Sequence, residues 1–338
     1  REINNTVREL LPFVALATVC DVMELKDENR IFVKEGLKQI SNTANWGLRA
    51  LFEVNGIETT KVNAYHLGFV IGPCLNATGR LDSALRALEL LQCTNKAEAM
   101  VAATELKELN DSRKNLTLKG VEEAEQQIQE KKLYDDKVIV VYLPHVHESL
   151  AGIIAGRIRE KYYHPVFVLT NGEEGIKGSG RSIEAYHMYD SMVRVREHFS
   201  KFGGHKLAAG LSLCHKNVEA FREAINKDVS LAEADFVPRV HIDVPMPLSY
   251  AGFELARQIQ LLEPFGVGNP KPLFAQKDVL FIGAKRIGAG GNFVRFTIDV
   301  HGKTYGVGEE MMYFGDVDAF CVFLNQKYGE GSSDKLFS

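Results

Sequence analysis

The chain has 338 residues, of which 45% are apolar and 25% charged, and its formal net charge is -4. Such a length supplies cores for about two or three domains of an ordinary soluble globular protein. The negative balance argues against a surface built wholly to attract nucleic acid, but it leaves room for a local basic groove, because the field in a cleft is set by the charges around it.

In chain order, Leu10 to Cys20 is an apolar helix or helix-to-strand junction, followed by Asp21-Val22-Met23-Glu24-Leu25 and the polar turn Lys26-Asp27-Glu28-Asn29. Ile31 to Ile40 and Trp46 to Val54 have the spacing of amphipathic helices. Tyr65 to Ile71 is another apolar helix, with Gly72-Pro73 as its stop. Ser83 to Leu91 is helical, with Ala84, Leu85, Ala87, Leu88 and Leu91 on one face. Lys96 to Lys132 has no Pro, a single Gly and many strong helix formers. It predicts one or two long helices, with Asn110-Asp111-Ser112 or Gly120 as breaks, and such a segment can bridge two domains.

A second domain begins at Lys137. Val138 to Leu143 is a continuous apolar run and so a buried strand. A helix from Glu148 to Tyr162 buries Leu150, Ile153, Ile154 and Ile158, while Ala151, Gly152, Ala155 and Gly156 allow close packing on a sheet. Val166 to Leu169 is the next strand, Asn171 to Gly175 a turn, and Lys177 to Ser182 a third strand followed by a helix to about Phe202. This strand–helix–strand rhythm is that of an α/β domain. Beyond Pro238 the pattern is that of a small β domain. Val279 to Ile287 and Phe293 to Val300 are strands, His301-Gly302 turns into a strand from Lys303 to Val307, and a late helix lies near Asp316 to Tyr328.

The five cysteines, Cys20, Cys74, Cys93, Cys214 and Cys321, are scattered and form no CxxC pair. Neither a zinc knuckle nor a disulfide framework is supported, and a reducing cytoplasm fits best. No apolar run approaches the roughly 20 residues of a membrane helix, and no signal peptide precedes the first apolar segment.

The richest chemistry lies in Lys201-Phe202-Gly203-Gly204-His205-Lys206-Leu207-Ala208-Ala209-Gly210, which leads into a strand at Leu211-Ser212-Leu213. Adjacent glycines permit close backbone approach, and bare N–H groups with nearby cations suit a phosphate. A tight turn with a solvated His205 is the plainer alternative. Ser179 and Arg181 are two apart in a strand and share a side, so they can grip one phosphate; an exposed strand edge is the alternative. His147 follows a strand and precedes a helix, where ligands gather and anions are favoured, whereas His145 and His164 read as surface residues. Arg80 follows a glycine and can fork onto a phosphate, with Asn76 to orient it or to bond a nucleic-acid backbone; otherwise the pair caps the Ser83 helix. Asp21 is either a helix cap or an oxygen ligand to Mg²⁺ or Mn²⁺, and one aspartate cannot build a two-metal site. Asn110 and Arg113 read most simply as a solvated helix face.

Several ordered segments together carry a resemblance. The spacing GGHxxAAG resembles the signature of the DHHA1 domain of DHH-family phosphoesterases. Thr18 to Leu25 with Glu28-Asn29-Arg30 looks like the fourth metal-binding motif of RecJ-type nucleases, Asn76-Ala77-Thr78-Gly79-Arg80 like their NAxGR segment, and His147 to Ala155 like their HExxxGIxA segment. Leu262 to Pro270 looks like the lead-in to their OB domain, and LNxxR of the long helix points to the cleft in relatives. The resemblance implies an α/β architecture in four parts: the C-terminal part of a DHH domain (1–92), a bridging helix (93–133), a DHHA1 substrate-binding domain (134–235) and a partial OB-like β-barrel (236–338). It implies 5′-to-3′ hydrolysis of single-stranded DNA with Mn²⁺ or Mg²⁺, in DNA repair and recombination. Asp21 would be the metal ligand, and Asn76, Arg80, His147, Ser179, Arg181 and His205 would hold the substrate, with Gly203 and Gly204 allowing close approach. A monomer with a helicase or single-strand-binding protein as partner also follows from it.

The family's Asp-His-His tripeptide is absent from this sequence, and Asp316-Val317-Asp318 reads as a helix start. A fragment that binds single strands weakly and cuts them poorly or not at all is therefore expected. OB folds bind single strands by stacking and basic grooves, and Phe293, Arg295 and Lys303 are candidates for that. Two alternatives stay open: a non-catalytic single-strand-binding module, and a DHH-family phosphodiesterase acting on short or cyclic dinucleotides, for which an OB platform is unnecessary.

Overall fold

The computed structural model describes residues 2–173, 175–227, 229–287, 293–300, 303–306 and 330. The chain divides into two compact units, one of residues 1–240 with 262–271 and one of residues 241–261 with 272–338. Among the described residues no helix is long and apolar enough to cross a membrane.

The first unit begins with helices α1 (Glu2–Cys20), α2 (Asp27–Ile40), α3 (Trp46–Val54), α4 (Gly72–Leu81) and α5 (Leu85–Gln92). They enclose a core that includes Leu48, Leu51, Phe52, Leu67, Ile71 and Leu90. Asn45 fixes the start of α3 by accepting the Leu48 N–H at 2.9 Å, which satisfies one of the free donors of the first turn. Gly72-Pro73 is not the stop that the sequence predicts: a π-helical turn, His66–Ile71, runs directly into α4. Pro73 falls in the first turn of α4, where no N–H is needed. Gly72 is required by packing, since a Cβ there would lie 2.4 Å from Cys20 Sγ. Asn76 and Arg80 are consequently helical and not part of a turn.

The bridging segment is one unbroken helix, α6 (Lys96–Glu130). Neither proposed break occurs. Asn110 is 2% exposed, and Gly120 is buried, with Ile154 filling the place a Cβ would take. The N-terminal half of α6 places Ala99, Ala103 and Leu106 in the first core, and its C-terminal half places Ala124 and Ile128 in another.

That other core lies beneath a five-stranded sheet of order β1-β2-β3-β5-β4, made of β1 (Ile139–Tyr142), β2 (Val166–Gly172), β3 (Gly175–Arg181), β4 (Phe199–Gly204) and β5 (Ala208–Leu213). Strands β1 and β2 are parallel, joined by helix α7 (Glu148–Tyr162), and the remaining pairs are antiparallel. One face packs on α6 and α7 through Val141, Val166 and Val168. The other packs on α8 (Met188–Arg194) and α9 (Val218–Lys227) through Phe167, Leu211 and Phe221. The helix expected to reach Phe202 ends at Arg194, and Phe199–Gly204 is an edge strand.

Residues 262–271 belong by contact to this first unit. The Leu25 N–H donates to Val267 O at 2.6 Å, and Arg30 donates to the carbonyls of Leu262 and Glu263 at 3.0 and 3.2 Å.

The second unit contains helix α10 (Phe253–Gln260), a short parallel pair β6 (Val244–Pro245) and β7 (Phe274–Ala275), and an antiparallel sheet of β8 (Leu280–Ile287), β9 (Phe293–Val300) and β10 (Lys303–Gly306). In β9, Phe293 and Arg295 pair with Ile287 and Lys285, and Lys303 begins β10 opposite Val300. The expected turn at His301-Gly302, the late helix near Asp316 and the Asp316–Asp318 motif lie outside the described residues.

Candidate functional site

The strand register carries most of the predicted site to one place. Val141, Val168, Ser179, Gly210 and Gly203 stand side by side across the sheet, and Arg181 lies in the next row, between Val166 and Ala208. Directly opposed residues point to the same face, so Ser179, Arg181 and Gly203 share the face that α7 covers. Two strand spacings separate Ser179 from Gly203, roughly 10 Å.

Helix α7 reaches only the near half of this face, and glycine is the reason it comes so close. A Cβ on Gly152 would sit 2.9 Å from both Arg181 Nη2 and Ser179 Oγ. Beyond α7 the sheet surface is nearly bare: a Cβ on Gly203 would meet nothing within 4 Å, and one on Gly210 would meet only the Gly178 carbonyl, at 4.0 Å. Gly204, at φ +152, is different. Its Cβ would lie 2.4 Å from Ala208 O, so glycine is required there by the β4–β5 hairpin itself. His205 follows, exposed, with its N–H bonded to Ala208 O at 2.8 Å.

The end of α4 is clasped to the start of α7. Arg80 Nη1 donates to Ser149 O at 2.9 Å, and Ser149 Oγ stands 3.0 Å from Arg80 O. The same hydroxyl lies 2.7 Å from His147 Nδ1. His147 is the N-cap of α7 and accepts the Ser149 N–H. Its ring is exposed, and its Nε2 has no partner among the described residues. Ser149 is thus the hub of the clasp, a role the sequence does not announce; its position two residues after the capping histidine is the available signal.

Arginine side chains crowd one another here. Arg181 Nη1 donates to Gly180 O at 2.8 Å and only weakly to Ser179 Oγ, at 3.5 Å. Desolvation, and then the charges of Arg80 and Arg159, lower its pKa. Arg113 of α6 is lowered by desolvation and then chiefly by Arg80, with Arg157 adding to the effect. The nearby acids are already engaged: Glu148 bonds Lys177 at 2.7 Å and Glu160 bonds Arg159 at 3.2 Å. Guanidinium groups that are partly desolvated beside one another favour an anion in the space they face.

Asp21 and Asn76 are placed differently. Asn76 is exposed one turn before Arg80 on α4. Asp21 is exposed in the turn after α1, and no hydrogen bond or ion pair joins it to the other candidates among the described residues. No group of three or more His, Cys, Asp or Glu side chains among the described residues is arranged to hold a metal ion.

A five-stranded α/β domain followed in sequence by a small β unit fits a DHHA1 domain with an OB domain after it. Residues 135–231 match the family model of the DHHA1 domain, and residues 242–328 match that of the RecJ OB domain. The single-stranded-DNA-specific exonuclease RecJ of Bacillus subtilis (strain 168) is 33% identical over 294 residues, which is 86% of this chain and 37% of that protein. The crystal structure of RecJ in complex with Mg²⁺ from Thermus thermophilus superposes with a TM-score of 0.73 at 31% identity, over 90% of this chain and 47% of that one. The Mn²⁺ complex of the same protein gives 0.73 at 30% identity, over 91% and 45%. The chain belongs to the RecJ family, and it spans about half the length, or less, of these relatives.

Proposed function

We propose that this chain grips the sugar-phosphate backbone of single-stranded DNA for a RecJ-like exonuclease that hydrolyses phosphodiester bonds from 5′ to 3′ in DNA repair and recombination. The observation that carries the reading is the half-buried Arg181, set against Gly152 beside Ser179 and in the field of Arg80, at the edge of a sheet surface left bare by Gly203 and Gly210. Bare glycine backbone lets a phosphate chain approach a sheet closely.

In this reading Ser179 and Arg181 hold one phosphate. Arg80 and the Nε2 of His147 approach it from the α4–α7 clasp, Asn76 lies one turn away on α4, and His205 follows the strand over Gly203 and Gly204. The division into 1–92, 93–133, 134–235 and 236–338 is our assignment of DHH, bridging, DHHA1 and OB-like parts. A divalent cation enters through the Mg²⁺ and Mn²⁺ bound in the Thermus thermophilus relative. Asp21 is our candidate to give it one oxygen, but the described residues do not form a metal site around Asp21. A monomer, a helicase or single-strand-binding partner, and a cytoplasmic setting complete the reading, the last supported by the four free cysteines among the described residues.

The test is fluorescence anisotropy of a labelled oligothymidylate over a KCl series, with a duplex of equal length beside it. Single-strand affinity is expected to fall linearly on a log–log plot with salt, to exceed duplex affinity, and to come without cleavage by this chain in Mn²⁺ or Mg²⁺. Salt-independent binding, or equal affinity for the duplex, would overturn the reading.

A further inference from the structure

The helix that carries Asn76 and Arg80 has a second pair of exposed side chains. It runs without a break from the π-helical turn His66–Ile71 into α4, and Tyr65, just before that turn, has helical dihedrals as well (φ -59, ψ -47). Leu67, Ile71, Cys74 and Thr78 recur at helical spacing and are all fully buried. The opposite side carries Tyr65, Phe69, Asn76 and Arg80, spaced four, seven and four residues apart, and all of them are exposed. Tyr65 and Phe69 are 62% and 70% exposed, a large fraction for aromatic rings.

The two rings stack on each other, with centroids 5.1 Å apart and planes 25° from parallel. They border a hollow of about 470 Å³ whose other walls include Val22, Met23, Phe265 and Lys271, a size usual for sites that take small flat groups. The exposed Lys271 brings a cation to the same hollow. Every nucleobase has a π face that stacks on an aromatic side chain, whatever its identity. Along the helix, Phe69 lies eleven residues before Arg80, about 16 Å, so a strand held by its backbone at Arg80 brings the bases of nearby nucleotides to the rings. An apolar protein partner would also cover the rings, but it gives no reason for them to share a helix face with Asn76 and Arg80.

We propose that Tyr65 and Phe69 form a base-stacking platform for single-stranded nucleic acid, taking bases of the strand whose backbone lies at Arg80. This rests on the reading that Ser179, Arg181 and Arg80 grip that backbone. The rings make no contact with a phosphate; they take the flat faces of unpaired bases without reading their sequence. The platform therefore favours a single strand, whose bases are free to stack on the protein, over a duplex, whose bases stack on one another.

The experiment uses the full 338-residue chain, a labelled oligothymidylate of about 12 nucleotides, within the range of single-strand site sizes, and an abasic strand of equal length, across a KCl series. Tyr65→Ala and Phe69→Ala are each expected to weaken oligothymidylate binding about tenfold, the loss of one stacked base. Both should leave abasic-strand binding and the log–log salt slope as in wild type, because no phosphate contact is lost. Phe69→Tyr keeps the π face and should retain the affinity. Circular dichroism checks folding, and two separate exposed positions keep the test valid if one variant misfolds. Wild-type oligothymidylate affinity in both alanine variants would overturn the platform and leave the rings to an apolar protein partner; equal losses on the two strands would overturn it as well. In either case a slope flattened by about 0.7 in Arg181→Gln leaves the backbone reading standing. A wild-type chain with no salt-dependent binding would overturn both.

Discussion

On one face of the five-stranded sheet, Phe167, Leu169, Leu211 and Leu213 meet Phe221 and Ile225 and are closed to water. On the other, the row Val141, Val168, Ser179, Gly210, Gly203 runs from buried aliphatic side chains, through a hydroxyl, to bare backbone. The same strands build both faces. Full burial of a large apolar side chain stabilises by about 1.5–3 kcal/mol, so the closed face supplies stability. The glycine-floored half contributes almost none of it. Residues there are free to be chosen for what they bind, and substitutions on the two faces should fail in different ways.

The largest effect is expected at Phe167, fully buried and packed edge-on to Phe221 at 5.3 Å. Phe167→Ala should destabilise by about 3–5 kcal/mol in urea unfolding. Any loss of strand affinity should follow only from the unfolded fraction. Next comes the glycine pair. Gly204→Ala places a Cβ against Ala208 O at a positive φ and should cost about 1–3 kcal/mol, whereas Gly203→Ala should stay within about 0.5 kcal/mol yet weaken oligothymidylate binding. Equal destabilisation by the two would break the distinction between the faces. The smallest change in stability is expected at Gly152. Alanine there improves helix propensity by up to about 1 kcal/mol but displaces the Arg181 guanidinium, whose flexible end can move. Gly152→Ala should leave the melting temperature nearly unchanged and lower affinity; a variant that binds like wild type would show that the contact between α7 and Arg181 does not set the site.

Much of this was legible in the sequence where local signals agreed with packing. Trp46–Val54 and Glu148–Tyr162 were bounded correctly because Asn45 and His147 cap them and their apolar residues recur at helical spacing. Ser179 and Arg181 were placed on one face by strand alternation alone. The edge strand β4 was not legible. Phe199 and Phe202 are three apart, a helical spacing, and both join the same core. A bulge between Phe199 and Lys201 allows this in a strand, by adding one residue to the register. Gly72-Pro73 misled for a similar reason, since what decides Gly72 is Cys20, 52 positions away. Asn110 looked solvated because the thiol that buries it sits 36 residues earlier.

Helix α6 rises about 52 Å over its 35 residues and is anchored in separate cores at its two ends. It behaves as a beam cast in one piece with both cores. To shift one core against the other, the chain would have to bend or uncoil this helix in its middle, beside the buried Asn110 and Gly120.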